Sequence, residues 1–132
     1  MSAFVAAWRL ISLQTGLALG HVAVLFNAGA YIAMLPRVAA GLGVPPSFGT
    51  WTQTDFMIGL AVGLPLSGAL TVRLGLERTA RAALLAFAIA SAGCAAAESL
   101  TPFLIGRIAL GLAGVILAYI ILLILGPPVP RD

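Results

Sequence analysis

Four long apolar stretches constrain this chain more than any other feature of its sequence. They lie at about 15–36, 53–72, 80–97 and 102–126. A helix needs about 20 consecutive apolar residues to cross the hydrocarbon core of a bilayer. A transmembrane β-strand would instead be marked by alternating segments of about 10 residues, whereas these stretches are continuous and rich in Ala, Leu and Gly. The pattern therefore predicts an all-α, polytopic membrane protein with four transmembrane helices.

The composition agrees with a bilayer environment and excludes several other classes of protein. The chain has 132 residues, of which 61% are hydrophobic and 8% are charged. Soluble proteins carry about 25% charged residues, so this chain lacks the charge to cover a water-facing surface. Its basic residues are scattered along the sequence, while a nucleic-acid interface needs them clustered on one face. We therefore expect the lipid bilayer as a partner and no nucleic acid.

The distribution of arginine predicts the orientation of the helices. Cytoplasmic loops of membrane proteins carry an excess of Lys and Arg. If the four stretches alternate in direction, only Arg37 falls on one side, and five arginines fall on the other. Those five are Arg9, Arg73, Arg78, Arg81 and Arg131. Both termini are therefore predicted to be cytoplasmic, with residues 1–14 as a cytoplasmic lead-in, residues 15–132 as a four-helix membrane domain, and the bacterial inner membrane as the location.

Arg107 is the most informative single residue, because it lies inside the fourth apolar stretch. A charged side chain at the centre of a membrane helix costs about 2.5–3.5 kcal/mol on insertion scales. Gly111 and Gly114 share its helical face, and small residues are typical of helix contacts in membranes. We interpret Arg107 as facing a polar cavity and the two glycines as packing positions. The alternative, an arginine that extends to the lipid headgroups, stays open.

Two further polar residues lie within or at the edge of the apolar stretches. Asn27 is in the middle of the first stretch, with Tyr31 on the same helical face, and both are candidates for the lining of a transport pathway. Asp55 begins the second stretch, and Gly59 and Gly63 continue its face as predicted packing positions. Asn27 could equally join helices by hydrogen bonds. Asp55 is either a proton-titrating site or an acid favoured by the helix dipole.

The sequence contains none of the usual constellations of an enzyme. There is no Ser-His-Asp set, no phosphate-binding loop and no cysteine cluster, since Cys94 is the one cysteine of the chain. A single cysteine can form neither an internal disulfide nor a metal site by itself. The interpretation is therefore of a protein that is not an enzyme, with no cofactor and no metal.

Three short segments of the chain carry recognisable motifs. Residues 49–73 contain Trp51, Phe56 and the Pro-Leu-Ser-Gly at 65–68, residues 27–36 end in Leu-Pro, and residues 106–114 contain Arg107 and Gly111. These segments resemble, respectively, the second, first and fourth helices of the major facilitator superfamily, specifically its fourteen-helix drug:proton antiporters of the EmrB/QacA type.

The turn after the second stretch resembles the loop motif of the same family, G-x-L-x-D-R-x-G-R-R. The matching positions are Gly68, Leu70, Arg73, Gly75 and Arg78. The chain departs from the family at Val72, which replaces the loop aspartate, and at Asn27, which replaces the aspartate of the first helix.

The resemblance implies the N-terminal four helices of a larger transporter that carries small organic molecules outward in exchange for protons. In such transporters the first and fourth helices are neighbours, so we expect Arg107 to point inward, within reach of Asn27. The family has twelve or fourteen helices built from three-helix repeats. The resemblance therefore implies a truncated chain that is not active alone, whose partners are the remaining transporter helices or a self-associating copy.

Two alternatives to the transporter interpretation remain open. One is a non-transporting four-helix membrane scaffold or partner subunit. The other is a small multidrug transporter that works as a dimer. That class depends on a glutamate in its first helix, and the first apolar stretch here contains no acid.

Overall fold

Nearly all of residues 2–126, the part of the chain that the computed structural model describes, is helical. The four helices are α1 (Ser2–Gly41), α2 (Gly49–Leu74), α3 (Leu76–Ala95) and α4 (Leu100–Leu125). A short 3-10 turn at Pro46–Phe48 leads from the α1–α2 loop into α2. The prediction of an all-α protein with four helices is confirmed for these residues.

Helix α1 is much longer than the sequence pattern indicated. It begins at Ser2 and continues through Pro36 to Gly41, so residues 2–14 are part of the helix and the predicted boundary at 36 is wrong. Residues 2–14 contain neither Gly nor Pro, the two residues that most oppose a helix interior. Gly43 ends the segment with a φ of 66°, a conformation that glycine adopts without steric cost.

The connection between α2 and α3 is shorter than the gap between the apolar stretches at 53–72 and 80–97. Gly75 alone separates the two helices, with φ 82° and ψ 158°. Thr79 fixes this corner, because its hydroxyl contacts the carbonyl oxygens of Gly75 at 2.9 Å and Leu70 at 3.2 Å. Arg78 therefore lies on the first turn of α3, although the apolar pattern had placed it between two stretches, and Arg81 follows on the next turn.

Three of the four helices are long and apolar enough to cross a membrane, namely α1, α2 and α4. Helix α3 has 20 residues, opens with Glu77, Arg78 and Arg81, and continues mainly in alanine. Its span across the bilayer therefore stays a prediction from the sequence pattern. The three apolar helices identify the chain as a membrane protein.

Helix α4 is the centre of the bundle and contacts the other three helices. Its core side chains include Leu110, Leu117 and Ile120, each at most 1% exposed. Helix α2 packs most closely on it through glycines. By contrast, α1 leaves many large apolar side chains exposed, among them Leu19, Leu25 and Phe26.

Candidate functional site

The guanidinium of Arg107 lies where α1, α2 and α4 converge. The residue is 1% exposed, which makes it the largest fully buried side chain of the described chain. Its Nη1 donates a hydrogen bond of 2.6 Å to Oδ1 of Asn27 on α1. Its Nη2 reaches Oε1 of Gln53 on α2 at 3.5 Å. The structure thus brings Arg107 and Asn27 together as expected, and Arg107 does not face lipid.

Two aromatic rings complete the surroundings of this cation. The Cζ atom of Arg107 lies 3.8 Å from the centroid of the Tyr31 ring and 4.8 Å from that of Phe56. A guanidinium within about 6 Å of a ring centroid is attracted by the electron-rich face, by about 2 kcal/mol or more when the pair is desolvated. These rings take the place of water around the charge.

The Tyr31 ring is itself held firmly. Its hydroxyl is hydrogen-bonded to Oγ1 of Thr52, which donates in turn to the carbonyl oxygen of Gly49 at 2.8 Å. The ring also stacks on Phe103 of α4, with centroids 6.3 Å apart. Tyr31 therefore connects α1 to the start of α2 and to α4, which fixes the position of the ring under Arg107.

The charge of Arg107 is not neutralised within the described chain. Both of its hydrogen-bond acceptors are neutral amide oxygens, and none of the carboxylates of residues 3–126 lies within 4.0 Å of it. Its Nε is buried without an acceptor. Asp55 lies half-buried on α2, two residues from Gln53, and forms no ion pair with any residue that the structure describes.

An open cleft of about 270 Å³ adjoins this cluster. Asn27, Tyr31 and Arg107 line it, together with Cys94 of α3 and the apolar side chains of Phe26 and Met34. Pockets that bind small molecules are mostly apolar and carry a few well-placed polar groups, and this cleft has that character.

The predicted packing glycines lie at helix contacts. A Cβ atom at Gly63 would come within 3.1 Å of the Leu112 backbone, and one at Gly114 would meet Val24 at 3.3 Å. Gly59 and Gly111 face each other's helices. These positions bring α2 and α1 close enough to α4 for Gln53 and Asn27 to reach Arg107.

The residues of the loop motif lie far from the cluster. Gly75 forms the α2–α3 corner, and Arg73 and Arg78 are exposed beside it. A Cβ atom at Gly68 would lie 3.6 Å from the Tyr119 hydroxyl, which is an ordinary van der Waals distance. Because α2 rises about 1.5 Å per residue, the corner is about 30 Å from Gln53, so the motif and the cluster are separate features.

Sequence reasoning missed Gln53 and Thr52 as members of the cluster. The apolar pattern placed the start of the second helix at 53, so both residues were assigned to its edge. For Thr52 the usable signal was its spacing from Phe56, since the two residues are one helical turn apart and share a buried face. His21 lies outside the cluster, in a groove of about 540 Å³ between α1 and α4.

Comparison with known proteins gives the family of the chain. It is 37% identical over 105 residues to the fatty acid resistance protein FarB of Neisseria gonorrhoeae, an alignment that spans 80% of this chain and 20% of FarB. It is 36% identical over 78 residues to the multidrug export protein EmrB of Escherichia coli (59% of this chain, 15% of EmrB). MdtD of Pectobacterium atrosepticum is 35% identical over 98 residues (74% of this chain, 21% of MdtD).

The chain belongs to the major facilitator superfamily. The relatives are drug efflux transporters of that superfamily, which agrees with the resemblance read from the motifs. The chain spans about a fifth of the length of these curated relatives. No protein-family model matches it, and no solved structure matches it. In this major facilitator chain the most buried charged side chain, Arg107, lies where α1, α2 and α4 meet.

Proposed function

We propose that this chain forms part of a proton-coupled efflux transporter for small organic molecules in the bacterial inner membrane, and that the Arg107 cluster lines its pathway. The observation that carries the proposal is the 2.6 Å hydrogen bond between Arg107 and Asn27, in a cluster that joins three helices. Ionisable residues inside membrane segments are costly, and most often mark substrate or ion pathways.

The architecture supports a pathway more than a static helix contact. Transporter binding sites lie near the bilayer midplane, between structural repeats that move relative to each other. The cleft beside Arg107 is open, and Phe26 and Met34 of α1, which are both exposed, line part of it. If the Asn27 amide served only to join helices by hydrogen bonds, it would need neither a charged partner nor a cleft beside it.

Asp55 is the candidate for carrying the coupled proton. Among residues 3–126 it is the sole acid on α1, α2 and α4, since Glu77 lies on α3 and Glu98 in the loop before α4. Asn27 cannot titrate, so the Arg107 pair alone offers no proton site. Asp55 is half-buried on α2 and forms no ion pair with any residue that the structure describes.

Partners for the exposed apolar faces are also part of the proposal. Helix α1 exposes Phe26 by 72% and Leu25 by 61%, and these surfaces would contact lipid, further transporter helices or a second copy. We propose that transport needs such a partner and that the chain alone does not catalyse it.

The test uses inverted membrane vesicles from Escherichia coli that express the longest reading frame containing this chain. A proton gradient is imposed, and uptake of a fluorescent drug is followed in the wild type and in Asp55→Asn. The matched control is Glu98→Gln, an exposed acid outside the helices. We expect Asp55→Asn to abolish gradient-driven uptake and Glu98→Gln to leave it unchanged.

Three outcomes would each contradict a part of the proposal. Full gradient-driven uptake in Asp55→Asn would remove Asp55 as the proton carrier. Absence of any uptake in the wild type, with a folded protein present in the vesicles, would favour the scaffold alternative. Uptake by the 132-residue chain expressed alone would point to a small self-assembling transporter.

A further inference from the structure

Four arginines and one acid lie together at the end of the bundle where α2 turns into α3. Arg9 of α1 lies 3.8 Å from the carboxylate of Glu77 on α3, and Arg81 forms an ion pair with the same carboxylate. Arg73 and Arg78 flank the turn between α2 and α3, and both are exposed. We call these five residues the basic corner. Its surface carries four positive charges and one negative charge.

The depth of the basic corner in the membrane follows from α1. At about 1.5 Å per residue, Arg9 and Arg37 lie about 42 Å apart along this one helix. A bilayer measures about 40–45 Å when its headgroup layers are included. The two arginines therefore fit opposite headgroup layers, and the contact between Arg9 and Glu77 places the basic corner in the same layer as Arg9. This depth is the same whichever helices complete the transporter.

Large apolar side chains are exposed beside these arginines. Val72 is 87% exposed and Trp8 is 67% exposed, and each is followed in the sequence by an arginine. Trp is enriched where a membrane meets water, because its ring suits the headgroup level. The surface around the basic corner thus combines cations with apolar groups, as the boundary between phosphates and acyl chains requires.

The residue at position 72 raises the net charge of this surface. The loop motif of the family has an aspartate at this position, whereas this chain has Val72. An exposed aspartate there would repel a phosphate group from the neighbouring Arg73. With valine, the guanidinium groups face no such repulsion, and a guanidinium matches the oxygens of a phosphate in a bidentate geometry.

We infer that the basic corner binds the headgroup of an anionic phospholipid, with the lipid phosphate at the exposed guanidinium groups of Arg73 and Arg78. Under the predicted orientation this lipid belongs to the cytoplasmic leaflet. The site is separate from the Arg107 cluster and goes beyond the proposed function, because it concerns a lipid that the chain binds and not a molecule that it transports. The preference for an anionic headgroup depends on Val72.

The test compares two lipids that share their acyl chains and differ in headgroup charge. The full chain is purified in a neutral detergent, and native mass spectrometry counts the bound lipid while dioleoyl-phosphatidylglycerol or dioleoyl-phosphatidylcholine is titrated. We expect phosphatidylglycerol to bind at least about fivefold more tightly, the factor that corresponds to about 1 kcal/mol for one arginine near an anionic surface. Soluble glycerol phosphate at the same concentration should not compete, since it lacks the acyl chains.

Two pairs of variants place the binding at the basic corner. Val72→Asp and Val72→Asn differ only in charge, and we expect phosphatidylglycerol to bind about fivefold or more weakly to the aspartate variant than to the asparagine variant. Arg78→Gln should weaken the binding about fivefold. Arg37→Gln removes an exposed arginine at the opposite end of α1 and should leave the binding unchanged. Positions 72 and 78 are exposed, so these variants keep the packing of the bundle.

Three outcomes would overturn the inference. Equal affinity of the wild type for the two lipids would do so, and would assign the basic corner to contact with an acidic protein segment instead. Equal binding of phosphatidylglycerol by Val72→Asp and Val72→Asn would remove the role of the charge at position 72. Full competition by glycerol phosphate would show a site for free anions. Drug uptake in vesicles tests the proposed function separately, and its result does not alter the lipid affinities.

Discussion

Gly59 on α2 and Gly111 on α4 hold the two helix backbones in reciprocal contact. A Cβ atom at Gly59 would lie less than 3.0 Å from the carbonyl oxygen of Ile108, and a Cβ at Gly111 would lie as close to that of Phe56. Small residues permit such close approach between membrane helices. Because Phe56 and Gln53 both contact Arg107 from α2, the glycine contact also sets the width of the polar cluster.

Substitution of Gly111 should therefore destabilise the bundle. In Gly111→Ala the new methyl group meets backbone atoms that cannot move aside singly, and overpacking of this kind costs about 1–3 kcal/mol. Gly93→Ala is the control, since a Cβ there meets nothing within 4 Å and alanine favours the helix. Thermal unfolding in detergent should show a lower Tm for Gly111→Ala and no lower Tm for Gly93→Ala. Equal Tm values would contradict the close contact.

The α2–α3 corner provides a second stability prediction. Gly75 has φ 82° and ψ 158°, a region that is essentially restricted to glycine and costs other residues about 1–3 kcal/mol. Gly75→Ala should lower the Tm by the amount that corresponds to this loss of free energy, although a Cβ there has open space around it. Gly29→Ala, in a helical position with equally open space, is the matched control. A Tm loss of the same size in both variants would contradict the conformational explanation.

Tyr31 combines two roles that substitution can separate. Tyr31→Phe removes the hydroxyl that bonds to Thr52 but keeps the ring at Arg107, and Thr52 retains its bond to Gly49. We expect a loss of about 0.5–1.5 kcal/mol in the free energy of unfolding. Tyr31→Leu also removes the ring face and should cost about 1–2 kcal/mol more. Chemical denaturation of the two variants measures the difference, and identical losses would show that the ring does not stabilise Arg107.

The Arg107 contact with Asn27 illustrates what sequence reasoning could reach. The two residues are 80 positions apart, and the cost of a charge in lipid together with the family resemblance indicated that they would meet. The role of Gln53 was not predicted, because hydropathy marks only where an apolar stretch begins. The helix itself starts earlier, at Gly49. The length of α1 was not predicted, because Pro36 resembled the end signal of a helix. In the structure Pro36 lies inside the helix.

The orientation of the chain can be tested directly. Under the arginine distribution, both termini and the α2–α3 corner should face the cytoplasm. Reporter fusions at Gly75 and at the C-terminus should therefore be active on the inner side, and fusions at Pro46 and Ser99 on the outer side. The fusion at Ser99 also tests whether α3 spans the bilayer, since α3 is the least apolar of the four helices. An inner-side reading at Pro46 would contradict the orientation.

The last prediction concerns where the coupled proton resides. If Asp55 carries it, Asp55→Asn should abolish uptake driven by the proton gradient. Asn27→Asp then offers a new carboxyl within hydrogen-bond reach of Arg107 Nη1, the atom that now donates to Asn27 at 2.6 Å. Because a carboxyl beside a guanidinium in the pathway can bind and release protons in turn with the substrate, the double variant should recover part of the uptake.

Vesicles with a series of external pH values give the decisive comparison. The single Asn27→Asp variant should change the pH dependence of uptake, since it adds a second carboxyl group to the one, Asp55, that the described residues of α1, α2 and α4 carry. Asn27→Gln, which keeps an amide at the position, is the control and should leave the pH profile in place. If Asn27→Asp leaves both uptake and its pH profile unchanged, residue 27 does not lie in the pathway. If the double variant stays inactive while Asn27→Asp alone is active, the proton site is at Asp55, and the Arg107 cluster binds substrate without exchanging protons.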